Sequence, residues 1–272
     1  MIPGSARLSL GDHHSVILKQ DGSVWSTPLL SHGLSPSRRG DVHFEEIISS
    51  GATAVAAGNE YNMVLREDGS VLAVGRNSRG QLGDGTRSGK DKLTFVHMIP
   101  GAQTVAAGVC HSMILTQAGC LWATGGNKYG QLGDAATSYT LRFFVAISNG
   151  VRAVSAGDTH SIVLKQDGSV WAAGRNNYGQ LGDGSKTDKS CFIKVIYADA
   201  VLVSAGGSHT MVLKQDDSVW TTGSNEYGQL GDGSATNKFG YEQVVSSGAK
   251  SVAAGRRHSI MLKQDGSVWT TG

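Results

Sequence analysis

Proline is scarce, with 4 in 272 residues, and glycine does not recur at every third position. Together these exclude a collagen-like chain. The three cysteines, Cys110, Cys120 and Cys191, are odd in number and lack paired metal-ligand spacing. Neither a disulfide framework nor a zinc site is expected, and a reducing compartment fits best. An excess of one charge is also missing: 24 basic residues face 22 acidic ones, for a formal net charge of +2. That balance argues against nucleic acid or an anionic membrane as the partner. No apolar run approaches the roughly 18 residues of a membrane helix. The opening MIPGSARLSLGDHH lacks the charged and apolar regions of a signal peptide. The expected setting is intracellular, cytoplasmic or nuclear, with no membrane.

Hydrophobic residues make up 39% of the chain and glycine supplies 38 positions. The apolar share is too high and the net charge too low for a disordered chain. Glycine at twice its ordinary usage of roughly 7% is incompatible with a helical array, where each one costs about 1 kcal/mol relative to Ala. A turn-rich, all-β protein remains.

Internal repetition organises the whole chain. Stretches of the form AG-x-x-HS-x-x-LKQDGSVW recur, with their first glycine at Gly11, Gly58, Gly108, Gly157, Gly206 and Gly255. The near-constant spacing leaves no room for a linker, so residues 1–272 read as one array of six repeats. The segment before each key glycine is short and small-residued, which suits an innermost strand. The next holds three consecutive apolar residues, as in Val16-Ile17-Leu18, Ile162-Val163-Leu164 and Met211-Val212-Leu213, and so predicts a sheet covered on both faces. An Asp-Gly pair follows at Asp21-Gly22, Asp68-Gly69, Asp167-Gly168 and Asp265-Gly266, predicting a two-residue hairpin. A third strand runs through Val-Trp, and a fourth is placed through Phe44, Phe95, Phe144, Phe192 or Tyr241. The expected fold is an all-β propeller of four-stranded antiparallel blades, six repeats with the last incomplete. That last repeat lacks one GQLGDG-type loop and most of an outer strand, so either the last blade closes imperfectly against Met1-Ile2 or, the favoured expectation, the chain is a fragment of a larger propeller.

Trp25, Trp122, Trp171, Trp220 and Trp269 each lie 14 residues after the key glycine, and Leu72 takes the place in the second repeat. They are expected to be structural, buried between blades. His14, His111, His160, His209 and His258 stand three residues after the key glycine, with Tyr61 in the second repeat. Held apart by the blades and without accompanying carboxylates, they are expected to hydrogen-bond within their own turns rather than bind metal.

The motifs AGDTHSIVLKQDGSVW (156–171) and NNYGQLGDG (176–184) closely resemble the repeat of the regulator of chromosome condensation family. WD-type repeats would carry Trp-Asp endings and kelch repeats a Gly-Gly pair. The resemblance spans all six repeats and implies a β-propeller, usually of seven blades. Members that look like this include the exchange factor for the small GTPase Ran, the plant ultraviolet-B receptor, HECT-type ubiquitin ligases and a bacterial β-lactamase inhibitor. Function must therefore come from sites rather than from the repeat.

By that resemblance, an acidic residue just after the key glycine marks the face offered to a GTPase, and Asp158 and Asp12 match it. The uniform spacing, however, leaves no inserted wedge for nucleotide exchange. Light sensing would place Trp after the key glycine, where this chain has Asp12, Asn59, Val109, Asp158, Gly207 and Arg256. The GQLGDG loops lack the Lys-Ser/Thr ending and the helix of a phosphate loop; their Asp84, Asp134, Asp183 and Asp232 are expected to accept backbone N–H groups within the turn. A Ser, His and Asp copied into nearly every repeat is a folding signature, so no catalytic residue, cofactor or metal is expected. Candidate partner-binding residues lie where repeats differ: Asp12, His13, Glu60, Asp158, Arg256 and Arg257 at the turns, and Arg38, Arg39, Lys90, Lys92, Lys186 and Lys189 in the variable stretches, read as solvated loops. The expected function is a non-enzymatic protein-interaction scaffold. The alternatives are a guanine-nucleotide exchange factor for a small GTPase and the regulatory propeller of a HECT-type ligase.

Overall fold

The computed structural model describes residues 5–11, 14–27 and 44–272; Asp12, His13, Arg38 and Arg39 lie outside them. All the described structure is strand, turn and loop. The chain divides into two compact units, one of residues 1–126 and 139–145, the other of 127–138 and 146–272.

The first unit carries three sheets: β1 Ser5–Leu10, β2 Ser15–Lys19, β3 Val24–Ser26 and β4 Glu45–Ile48; β5 Ala52–Ala57, β6 Tyr61–Arg66, β7 Ser70–Asn77 and β8 Ser88–Met98; and β9 Ala102–Ala107, β10 His111–Thr116, β11 Leu121–Gly125 and β12 Thr140–Ile147, whose last two residues belong to the second unit. The second unit carries β13 Val151–Ala156, β14 His160–Lys165, β15 Val170–Gly174 and β16 Lys189–Ile196; β17 Ala200–Ala205, β18 His209–Lys214, β19 Val219–Gly223 and β20 Lys238–Val245; and the three-stranded β21 Ala249–Ala254, β22 Ser259–Lys263 and β23 Val268–Thr271. Every sheet is an antiparallel meander with strands in chain order, which is the blade pattern the repeats predict.

Covered faces are visible in the second strands β6 and β18, whereas Ile260 of β22 in the last sheet is exposed. In β6, Val64 joins a cluster with Val16, Leu18 and Val24 of the first sheet, while Met63 and Leu65 join one with Val105 and Ile114 of the third. In β18, Val212 packs with Ile162 and Leu164, and Met211 and Leu213 with Val252 and Met261. Each such side chain contributes roughly 1.5–3 kcal/mol on burial, so the core of either unit is the set of layers between successive sheets.

The hairpin after the second strand differs from expectation. Lys19 N donates to Ser23 O and Gly22 N to Lys19 O, closing a three-residue Gln-Asp-Gly loop rather than a two-residue one. Only the glycine has positive φ, at 76° in Gly22 and 77° in Gly168. That is a type I turn followed by a left-handed residue. Asp217 occupies the glycine's place in the fifth repeat, at φ 62°.

The same turns explain the tryptophan stripe. Asp167 Oδ1 accepts from Ser169 N and Oγ, at 2.9 and 2.6 Å, and Ser169 Oγ in turn accepts from Trp171 Nε1 at 3.0 Å. The chain of bonds recurs at Asp21-Ser23-Trp25, Asp216-Ser218-Trp220 and Asp265-Ser267-Trp269. The rings are not fully enclosed as expected: Trp25, Trp122, Trp171 and Trp220 are half-buried and Trp269 is exposed. One face packs inward, as Trp220 does beside Val203 and Val212. Lysine lies over several of the rings, 3.8 Å from Trp25 (Lys19), 4.5 Å from Trp171 (Lys165) and 4.3 Å from Trp220 (Lys214). A Lys-x5-Trp spacing across a hairpin places the ammonium on the π face.

Two further readings shift. The aromatic position of the fourth strand is Phe143, Phe192 and Tyr241; these rings pack against Gly83, Gly133 and Gly182. Phe95 and Phe144 lie in fourth strands as expected, in β8 and β12, but it is Phe143 rather than Phe144 that meets the loop glycine. Phe44 sits just before β4. Lys90 and Lys92 lie in a strand, not a loop, because β7 runs on to Asn77 and pairs with β8 as far as Ser88.

Candidate interaction surface

The key glycine opens a tight turn: Gly157 N donates to His160 O at 2.9 Å, and Gly58, Gly206 and Gly255 repeat the bond with Tyr61, His209 and His258. Glycine is required by close approach. A Cβ on Gly157 would overlap the His160 ring and meet Gly206 O, and one on Gly206 would overlap the His209 ring and Gly255 O.

The histidines bond between repeats rather than within their turns. His14 Nε2 meets Asn62 Oδ1 at 2.6 Å, His160 Nε2 meets Thr210 Oγ1 at 3.1 Å, and His209 Nε2 meets Ser259 Oγ at 2.9 Å. The Thr210 and Ser259 hydroxyls donate to Gln180 O and Gln229 O, both at 2.7 Å. With that proton committed they accept from the imidazole, so Nε2 carries the hydrogen. Burial lowers the pKa of His111 to about 4; burial, with the charge of His258, does the same for His209. These imidazoles are neutral at pH 7. Among the described residues no group of three or more His, Cys, Asp or Glu could hold a metal ion.

The GQLGDG loops are built from their own side chains. Asn176 Nδ2 donates to Asp183 Oδ1 at 2.8 Å while Asn176 Oδ1 accepts from Leu181 N at 3.0 Å, and Asn77, Asn127 and Asn225 repeat the pattern. The aspartates also accept backbone N–H groups, from Thr86, Ala136, Ser185 and Ser234. Burial opposes ionisation of Asp232, but bonds from Ser234, Asn225 and Lys238 outweigh it and hold its pKa at about 2. Lys189 pairs with Asp183 at 3.1 Å, and Lys186 lies 4.4 Å from the Phe239 ring centre. Both are thus drawn onto the loop-and-strand edge of their own unit.

At the turn end of the first unit, Glu60 has φ 60° and its carboxylate meets Arg76 at 2.8 Å. The pair is prearranged, because Arg76 N donates to Glu60 O. In the second unit the three turns are linked in a row, Asp158 N to Gly207 O at 3.3 Å and Gly207 N to Gly255 O at 3.2 Å. Arg256 reaches across the middle turn to Asp158, Nε to Oδ2 3.7 Å. A Cβ on Gly207 would lie 2.6 Å from Arg256 O and 3.0 Å from its Cγ, so the glycine lets the arginine pass. Beside this row Arg257 covers Tyr227 at 4.7 Å, and Arg175 stands 4.9 Å from Tyr129 and 6.0 Å from Tyr178. Tyr178 and Tyr227 are 37% and 46% exposed.

Of the turn residues expected from sequence, Asp158, Arg256 and Arg257 are gathered in this row, while Glu60 lies in the other unit. Arg175, Tyr129, Tyr178, Tyr227 and Gly207 escaped sequence reasoning. The signal was the tyrosine of KYGQLG, NYGQLG and EYGQLG, one residue before the loop glycine.

Models of the regulator of chromosome condensation (RCC1) repeat match residues 68–115, 167–213 and 216–262, and, for a second form, 52–81, 103–131, 151–180 and 200–229. No curated protein matches in sequence. Among solved structures, human WBSCR16 superimposes with TM-score 0.83 at 22% identity, over 95% of this chain and 72% of that one. Yeast RCC1 (Prp20) bound to Kap60 gives 0.83 at 19%, over 97% and 68%. Prp20p of Saccharomyces cerevisiae, described with its binding to Gsp1p and histones, gives 0.82 at 20%, over 97% and 70%. At such identities the likeness carries the fold alone, a β-propeller. The repeat models cover more than half of the sequence: the chain belongs to the regulator of chromosome condensation (RCC1) repeat family.

Proposed function

We propose that the protein is a non-enzymatic interaction module that engages a protein partner through the turn row of the second unit. The observation that carries this reading is the set of arginines seated on half-exposed tyrosines, Arg257 on Tyr227 and Arg175 on Tyr129 and Tyr178, beside the Asp158–Arg256 pair. Arg and Tyr dominate binding hot spots because they offer large rigid area with a polar end. Pre-stacking lowers the ordering cost of association. The mixed charge suits a protein better than a nucleic-acid backbone.

The test is capture of a partner by the wild-type chain and by a Tyr227→Ala/Arg257→Ala variant with unchanged thermal stability. Binding that falls at least tenfold, roughly 1.4 kcal/mol, supports the reading. Equal capture removes it from this surface.

A second reading, nucleotide exchange on a small GTPase, is favoured by Asp158, the acidic residue after the key glycine. Exchange requires groups that disturb the phosphate and magnesium site, and the solved relative Prp20p is described with its binding to Gsp1p. Release of labelled GDP from a Ran-type GTPase that the chain accelerates, and Asp158→Ala does not, would establish it. Unaccelerated release excludes it for that GTPase.

A further inference from the structure

The sequence holds one Asn-Gly pair, Asn149-Gly150, in the bend between β12 and β13. The corresponding bends carry Ser50-Gly51, Pro100-Gly101, Ala198-Asp199 and Ser247-Gly248. Gly150 has φ 75°, and a Cβ on it would meet nothing within 4 Å, so no side chain, its own or a neighbour's, fills the space beside its Cα. Asn149 is exposed, and its Nδ2 meets Ser148 Oγ at 3.5 Å, the long limit of a hydrogen bond.

Other amides and carboxyls that could react in the same way are held. Asn77, Asn127, Asn176 and Asn225 are buried, each with Nδ2 on a loop aspartate and Oδ1 on a leucine N–H. Asp21, Asp68, Asp167 and Asp265 also precede glycine, but each accepts from the hydroxyl and the backbone N–H of the serine two residues on. Those bonds hold the carboxyls below their usual range, and an ionised carboxylate has no good leaving group to offer an attacking nitrogen.

We propose that Asn149-Gly150 is a site of spontaneous modification, passing through a succinimide to aspartate and isoaspartate. The Gly150 nitrogen gives up its proton and attacks Asn149 Cγ; the new C–N bond forms, the Cγ–Nδ2 bond breaks and ammonia leaves. Water then opens the ring at Cγ to give aspartate, or at the main-chain carbonyl to give isoaspartate. The second product routes the main chain through Cγ and adds one methylene between positions 149 and 150. That change falls on a tied bend. Gly150 O accepts from Gln166 N at 2.9 Å in the hairpin between β14 and β15, and the buried Val151 pairs with Lys165 at the start of β13. Isoaspartate displaces this anchor, so stability falls as the chain ages. The turn row follows the other end of β13, at Gly157, and the site stands apart from the interaction reading.

The test ages the full chain at physiological temperature in mildly alkaline buffer and follows the tryptic peptide of residues 143–152, FFVAISNGVR, by mass spectrometry. Asn149 should convert at least about tenfold faster than Asn177, which is also exposed but precedes Tyr178. Electron-transfer fragmentation should show isoaspartate among the products. Asn149→Ser, which restores the Ser-Gly of 50–51 and 247–248, should remove the conversion. The denaturation midpoint of aged wild type should fall while that of the aged variant stays level. Equal rates at Asn149 and Asn177, or aspartate without isoaspartate, overturns the proposal. So does a synthetic 143–152 peptide that converts while the folded chain does not, because the bend then shields the site. Isoaspartate with an unchanged midpoint overturns its link to stability.

Discussion

Serine in the Asp-Gly-Ser-Val-Trp stretch accepts from the indole and donates to the aspartate, so it joins the turn to the ring. Ser169 is buried. Ser169→Ala should therefore cost about 1–2 kcal/mol, seen as a lower denaturation midpoint; a shift inside 0.3 kcal/mol (~ the error of such work) would contradict the linkage. Asp217 presents the opposite case, because an L-residue in the left-handed region carries strain of roughly 1 kcal/mol. Asp217→Gly should raise stability by up to that amount, and a loss on the same measurement would refute the strain. The tryptophan positions were legible from their constant distance to the key glycine. Their bonding was not, since an indole donor to a serine two residues back leaves no trace in hydrophobic periodicity. The Arg256–Asp158 pair was equally hidden, joining turns two repeats apart across a glycine whose role is to be absent.

At the scale of the element, the key glycine, the histidine and the following hydroxyl form a connector between successive sheets. Gly206→Ala would drive a Cβ into the His209 ring and Gly255 O, and should cost more than about 2 kcal/mol. Stability equal to wild type would show that the turn can relax. The connector also titrates. His111 and His209 have folded pKa values lowered to about 4 from 6.5. Above pH 6.5 folded and unfolded chains are both neutral there, and between 6.5 and 4 the unfolded chain alone takes up protons. Stability should fall across that window by on the order of 1.4 kcal/mol per pH unit for each histidine. Asp232, whose pKa is lowered to about 2 from 3.8, adds a loss only below pH 4. Denaturation midpoints flat from pH 7 to 4 would contradict neutral burial. Strand order was readable because each repeat restates it. The register of the fourth strand was not: adjacent Phe143 and Phe144 are equivalent in composition, and only the pleat that turns Phe143 toward Gly83 decides between them.

For the whole molecule, the six-fold repetition identifies the family and the propeller fold, and it also dilutes the functional signal. Histidines, aspartates and tryptophans present in nearly every repeat are accounted for by turns and connectors. What distinguishes one repeat from another is left as the candidate for recognition, and in the second unit those differences converge: Asp158, Gly207 and Arg256 after the key glycines, with Arg257 and Arg175 stacked on loop tyrosines. The most direct test is cross-linking mass spectrometry of the chain with a captured partner, alongside affinities for wild type and Tyr227→Ala/Arg257→Ala. Cross-links concentrated around 158, 175, 227 and 256–257, with affinity reduced at least about tenfold in the variant, are the predicted result. Cross-links confined to the other unit, with unchanged affinity, would contradict the account.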